Sequence, residues 1–96
     1  MKQIDEKVAQ AVMYGDWLAS CNTIVSWEGN RFTVVLHGNV IAKGHRSEEG
    51  EPVVDWASFC GHYTNVTIRR LNAIGVDTKE LAKKEKVGKY EARRIA

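Results

Sequence analysis

The sequence predicts an α+β fold with an N-terminal helix, a four-stranded antiparallel meander, and one or two C-terminal helices packed on the sheet. Apolar residues recur at helical spacing near the N-terminus. The middle of the chain is rich in β-branched and aromatic residues separated by short turns. Helical periodicity with capping residues then returns after Gly61. Since the chain has 96 residues, we predict a single small domain over residues 1–96.

The first helix is predicted over roughly Lys2–Tyr14, because Ile4, Val8 and Val12 share one face at helical spacing. Gly15 follows and suits a left-handed C-terminal cap.

A connector is expected at Asp16–Cys21, in which Trp17 and Leu18 pack inward. The meander follows, with turn signals at Glu28–Asn30 and Gly38–Asn39 and an acidic loop at Ser47–Glu51. The predicted strands are Thr23–Trp27, Arg31–Leu36, Val40–Gly44 and Val53–Phe59.

Alternation along the last strand predicts which of its residues share a face. Val53, Ala57 and Phe59 are expected on one face, and Val54, Trp56 and Ser58 on the other.

Two tryptophans on these strands, Trp27 and Trp56, allow two interpretations. If helices cover only one face of the sheet, they can form a contact surface or a stacking platform on the other face. If both faces are covered, they belong to the core, which agrees with the weak in/out alternation of these strands.

The second helix begins at the capping residue Thr64, buries the stripe Ile68, Leu71 and Ile74, and ends at Gly75.

Asp77, with Glu80 three residues later, resembles a capping box for a last helix that extends to about Lys86. We predict a less ordered basic helix over residues 78–96.

Charge is distributed unevenly along the chain. Residues 1–63 carry five Lys/Arg and eight Asp/Glu, whereas residues 64–96 carry nine Lys/Arg and four Asp/Glu. The basic tail can face a polyanion. It can equally be a solvated helix whose lysines are balanced by Glu80, Glu85 and Glu91. The candidate residues of the tail for contact with a polyanion are Lys83, Lys84, Lys86, Arg93 and Arg94.

The composition argues against several classes of protein. No apolar run is long enough to span a bilayer, and no secretory signal precedes the first helix, so we expect an intracellular protein without a membrane partner. The two cysteines, Cys21 and Cys60, are expected to be free thiols rather than a disulfide.

Two segments resemble a known family. Thr33–Ala42 resembles a hairpin motif TVxLHGxxIA, and Gly61–Ile74 resembles a helix motif G-x-x-T-x-x-T-x-x-R-L-N. Their order and spacing over residues 31–75 are similar to small proteins of unknown function encoded by tailed bacteriophages. The resemblance implies a phage origin, and with it the cytoplasm of an infected bacterial host cell. It supplies no activity.

The polar residues of the second motif form the first candidate site. Thr64 and Thr67 could hold a phosphate at the helix N-terminus, and Arg70 could add a bidentate contact, with Asn72 and His62 nearby. The alternative is structural: Thr64 caps the helix, Thr67 bonds the preceding turn, and Arg70 pairs with Asp55 or a backbone carbonyl.

The histidines and cysteines form a weaker candidate. Cys60 and His62, with His37 or His45 from the hairpin, could complete a zinc site. Paired histidines with Lys43 could instead support acid–base cleavage of nucleic acid. No Cys-x-x-Cys or His-x-x-x-His spacing supports a zinc site. We therefore predict no catalytic residue, no metal and no cofactor.

These observations lead to a functional hypothesis. We expect a non-enzymatic phage accessory protein that binds and modulates, most simply by inhibition, a host defence or nucleic-acid-processing protein. The alternative is a nucleic-acid or nucleotide-phosphate binder that uses Thr64, Thr67, Arg70 and the basic tail. The small core also favours a homodimer, formed through an uncovered sheet face or an edge strand.

Overall fold

The computed structural model describes residues 3–86. It contains three helices and five strands in the order α1, β1–β5, α2, α3. Their bounds are α1 Gln3–Tyr14, β1 Leu18–Ser20, β2 Thr23–Glu28, β3 Arg31–Leu36, β4 Asn39–Arg46, β5 Pro52–Ala57, α2 Asn65–Ala73 and α3 Thr78–Glu85.

The sheet is an antiparallel meander in the order β1-β2-β3-β4-β5. The α+β class and the meander are confirmed, but the expected number of strands is wrong by one. The predicted connector contains β1, a three-residue strand in which Leu18 lies opposite Val25. Leu18 packs against the core, whereas Trp17 is 69% exposed and does not pack inward as expected. A strand this short has too few residues to show a period of two.

The turn between β3 and β4 also differs from the prediction by one residue. It is formed by His37 and Gly38, with φ of 51° and 81°, and Asn39 already belongs to β4. Two consecutive positive φ angles are typical of the tight turns that match the twist of a hairpin. His37 therefore occupies a position for which Asn is the commoner residue.

One face of the sheet carries the core. Alternate residues of β2 and β3 point to this face and are almost fully buried: Val25, Phe32, Val34 and Leu36 are 3% exposed or less. From α1, Val8 and Val12 are buried against them. We call this the covered face. The hydrophobic contribution to stability comes mainly from here, since burial of apolar area drives folding.

A close approach on the covered face requires glycine at position 44. Gly44 lies opposite Phe32 in the β3–β4 register. A Cβ at this position would collide with the Phe32 ring and with the carbonyl oxygen of Val53. The absence of a side chain therefore lets the phenylalanine ring lie flat over β4.

A bulge in β5 changes which of its residues share a face. Trp56 pairs with Lys43, but Val54 pairs with Gly44, so Asp55 has no partner in the register. Val54 and Ala57 consequently share the covered face, whereas simple alternation had predicted opposite faces for them. Trp56 points to the other side of the sheet, with Val53.

The two C-terminal helices begin as predicted. The Thr64 hydroxyl accepts from the Thr67 amide at the start of α2, and the Asp77 carboxylate accepts from the Glu80 amide at the start of α3. Lys86 ends α3 in the left-handed conformation. α1 packs against α2 and against the first two strands, and α2 packs against β4, so α1 and α2 lie on the covered face.

Candidate functional site

The face of the sheet opposite α1 and α2 presents a row of side chains that crosses four strands. Ser26 lies opposite Thr33, Thr33 opposite Lys43, and Lys43 opposite Trp56. Trp17 directly precedes β1, and the alternation from Leu18 places it on the same side, next to β2. We call this surface the open face.

Two tryptophans bound the open face at its opposite edges. Trp17 is 69% exposed and Trp56 is 45% exposed. They line one shallow groove of about 460 Å³, whose floor includes Ser26, Thr33 and Lys43. Tryptophan is enriched among the residues that contribute most to binding at the centres of protein interfaces.

The charges on the open face have both signs. Lys43 lies at the centre of the row, and Glu28 lies opposite Arg31 one row away. Asp55 forms a 2.7 Å contact with His45 Nδ1. A face with tryptophans at two edges and charges of both signs suits a protein partner better than a uniformly anionic partner such as a nucleic acid.

Trp27 has a different position from Trp56. Its indole Nε1 donates to the carbonyl oxygen of Ala11 in α1 at 3.1 Å, and its ring contacts Phe32 at a centroid distance of 5.1 Å. The Arg46 guanidinium lies 4.9 Å from the ring centroid. Both interpretations of the tryptophans therefore apply, one to each residue: Trp27 fastens the sheet to α1, and Trp56 is exposed.

Sequence reasoning missed Trp17 as the counterpart of Trp56. Leu18 could have indicated the position of Trp17. If Leu18–Ser20 is a strand and Leu18 points inward, the preceding residue, Trp17, must point outward.

Arg70 is part of a buried ionic network. It is 4% exposed, and it donates from Nε to Thr23 Oγ1 at 3.0 Å and from Nη1 to the Asp5 carboxylate. Asp5 is 1% exposed, and its second oxygen lies 3.6 Å from Arg69 Nε. The prediction that Arg70 pairs with Asp55 is wrong, because Asp55 contacts His45 on the other side of the sheet. Arg70 connects α2 to α1 and β2 through these two contacts.

Thr64, Thr67 and Asn72 also contact neighbouring residues of the fold. The Thr64 and Thr67 hydroxyls are 3.0 Å apart, and Thr67 is 2% exposed. The Asn72 carbonyl Oδ1 accepts from the Thr78 hydroxyl at 2.9 Å, across the junction between α2 and α3. Thr64 and Thr67 therefore contact each other, whereas Arg70 and Asn72 contact other parts of the fold.

His62 is exposed and lines a small pocket at the end of the sheet. This pocket, of about 290 Å³, also contains His37, Asn39, Thr64 and Thr67. His45 lies on the open face instead, and the Cys60 thiol donates to the Val40 carbonyl at 2.9 Å. Cys21 and Cys60 are free. Among residues 3–86, no three His, Cys, Asp or Glu side chains converge in a group that could hold a metal ion.

The basic tail is described only in part. Lys83, Lys84 and Lys86 are exposed near the end of α3. Arg93 and Arg94 lie outside the described residues.

Comparison with known proteins identifies the family. Residues 1–91 match the family described as Kyanoviridae Gp96 protein. The chain belongs to the Kyanoviridae Gp96 protein family. Family membership supports the phage origin that the resemblance had implied, and it extends to α1 and much of the tail, which the two motifs had not covered. No curated protein and no solved structure matches the chain.

The helices of this Gp96-family chain are short. Within the described range of 3–86, no helix is long and apolar enough to cross a membrane.

Proposed function

We propose that this Gp96-family chain is a non-enzymatic phage accessory protein that binds a host protein through the open face and inhibits it. The proposed targets are host defence or nucleic-acid-processing proteins in the cytoplasm of the infected cell. The observation that supports binding is the pair of exposed tryptophans, Trp17 and Trp56, at the two edges of one groove.

The chemistry of the open face supports a protein as the partner. Aromatic side chains at the edges provide large apolar contact area at a small cost in side-chain entropy. Lys43, Arg31 and Glu28 provide charges of both signs for orientation.

The test is affinity capture from bacterial host lysate with the full chain as bait. Each captured protein is quantified against the Trp17→Ala/Trp56→Ala variant and against a Tyr14→Ala control. Tyr14 is 67% exposed on α1, so the control removes an aromatic side chain of similar exposure from outside the open face. A true partner should be captured at least about tenfold less by the double variant, and equally by the control. Equal capture by all three baits would contradict the proposal.

Inhibition is tested separately on the purified partner. Its activity should fall on addition of the wild-type chain and stay unchanged on addition of the double variant. A partner that binds through the open face but keeps full activity would overturn inhibition and leave binding intact.

The alternative is a nucleic-acid or nucleotide-phosphate binder. The burial of Arg70 argues against a phosphate site on α2, because the Arg70 guanidinium already contacts Asp5 and Thr23. A version on the open face would use Trp17 and Trp56 for base stacking and Lys43 for phosphate.

Fluorescence anisotropy with single-stranded DNA and RNA decides between the two candidates. The alternative requires affinity that decreases steeply between about 50 and 200 mM salt and decreases further in Lys43→Ala. A protein binder should give no saturable signal with either oligonucleotide. Nuclease treatment of the lysate in the capture experiment separates direct partners from those bridged by nucleic acid.

A further inference from the structure

The outer edge of β5 has the features of a peptide-binding strand. In the described part of the chain, β5 pairs with β4 on one side and with no strand on the other. The Ser58 amide donates to the Ile41 carbonyl, which lies on the β4 side. Because hydrogen-bonding groups alternate in direction along a strand, the preceding residue, Ala57, directs its N–H and C=O outward.

The fold already satisfies one outward group of this segment. The Phe59 amide, two residues beyond Ala57, donates to the Glu85 carboxylate of α3 at 3.0 Å. The outward side of the segment therefore faces α3, and a side chain of α3 replaces the carbonyl that an added strand would supply. At Ala57 no such replacement is present among residues 3–86.

A groove lies between this edge and α3. It has a volume of about 350 Å³ and is lined by four consecutive β5 residues, Val54 to Ala57. Consecutive residues point to opposite faces of a sheet, so only the edge of the strand can present all four to one space. From the helix side it is lined by Val76, Leu81, Asp77 and Glu80.

The lining of the groove indicates the chemistry of its occupant. Val54, Val76 and Leu81 are partly buried apolar residues that continue the core. Asp77 and Glu80 are exposed acids at the start of α3, and Lys84 is the one basic side chain among the residues lining the groove. The space therefore suits an extended segment that alternates apolar and basic side chains.

We propose that β5 accepts an extended, basic peptide segment of the partner as an additional strand in the groove beside α3. This inference rests on the proposed protein-binding function and names the kind of segment that is bound. Main-chain hydrogen bonds to the outward groups of β5 provide affinity, and Asp77 and Glu80 select basic side chains.

The probe is the blocked hexapeptide Lys-Val-Thr-Val-Lys-Val, titrated into the full chain and followed by the ¹⁵N amide signals. Two matched peptides are compared with it. One replaces both lysines by glutamate, and the other carries N-methyl groups on alternate amides. We expect saturable shifts at Ala57 with the basic peptide, and affinity lower by at least about tenfold for each matched peptide.

A charge reversal in the groove provides the protein-side test. Glu80→Lys should weaken binding of the basic peptide by about threefold or more. Glu49→Lys makes the same change in net charge in the exposed β4–β5 loop and should leave the affinity unchanged. Equal effects of the two variants would overturn selection by the groove.

Amide hydrogen exchange provides the remaining decisive readout. The Ala57 amide should exchange rapidly in the free chain and be protected at saturating peptide. An Ala57 amide already protected in the free chain would overturn the proposal, because the chain itself or a second copy would then cover the edge. Absence of peptide binding together with tryptophan-dependent capture of a partner would sink this inference alone. Absence of peptide binding together with absence of tryptophan-dependent capture would also refute the proposed function.

Discussion

The two faces of the sheet use the same strands for different purposes. On the covered face, Val25, Phe32 and Val34 are at most 1% exposed and pack beneath α1. On the open face, Ile24 is 44% exposed and Trp56 45%. Since neighbouring residues of one strand point to opposite faces, the strands alternate core residues with residues of the proposed binding surface. Substitutions on the covered face should therefore lower stability, and those on the open face should lower binding.

The strongest test of this comparison is Arg70→Ala. Removing the guanidinium leaves the Asp5 carboxylate buried without its main partner, and such losses cost about 3–5 kcal/mol. Urea denaturation should show a decrease of this size in the free energy of unfolding. Arg69→Ala, which removes a partly exposed neighbour 3.6 Å from the same carboxylate, should cost much less. An Arg70→Ala chain as stable as the wild type would contradict the structural role of Arg70.

Gly44→Ala should produce the next largest effect. The added methyl group collides with the Phe32 ring and the Val53 carbonyl, and overpacking of this kind costs about 1–3 kcal/mol. Combining it with Phe32→Leu should recover part of the loss, because the smaller side chain vacates the space over β4. A double-mutant cycle by thermal denaturation measures this coupling. Strictly additive effects would show that the glycine and the ring do not constrain each other.

A smaller effect on the free energy of unfolding should distinguish substitution of Trp27 from substitution of Trp56. Trp27→Phe keeps an aromatic ring but removes the donor to Ala11, so we expect a loss of about 1 kcal/mol. Trp56→Phe makes the same chemical change on the open face, where the indole forms no hydrogen bond with any residue in the range 3–86. Chemical denaturation of both variants should show a difference of that size. Equal stabilities would mean that the indole bond to α1 contributes nothing.

The smallest expected effect is on the stability of the open-face variants. Trp17→Ala and Trp56→Ala should each remain within about 0.5 kcal/mol of the wild-type free energy of unfolding, since exposed substitutions usually do. Far-ultraviolet circular dichroism and urea titration check this directly. A loss well above that limit at either position would show that the tryptophan supports the fold, and capture experiments with it would then need to be repeated with a conservative substitution.

Local sequence signals predicted much of the fold. Thr64 and Asp77 cap helices because their side chains bond amides three residues away, which makes the signal readable in a short window. Leu71 is buried as its helical spacing predicted. The β-rich segments from Thr23 to Ala57 also form strands in the expected order.

Features that depend on distant partners could not be predicted in this way. Asp5 and Arg70 meet across 65 positions, and no local pattern specifies that contact. The bulge at Asp55 depends on how β5 fits against Gly44, so strict alternation gave the wrong face for Val54. The exposure of Trp17 follows from the pairing of Leu18 with Val25, and no local pattern in the sequence specifies that pairing.

The pairing of Asp5 with Arg70 also has a consequence for how the chain is made. During synthesis from the N-terminus, α1 and the whole meander leave the ribosome before Arg70 does, because Arg70 lies in a later helix. Until then, the Asp5 carboxylate lacks the arginine that it contacts in the folded chain. The hairpins can form from local contacts, whereas the ion pair that joins α1 to α2 can form only after α2 has been synthesised. The contact between the two helices is therefore made only when most of the chain has been translated.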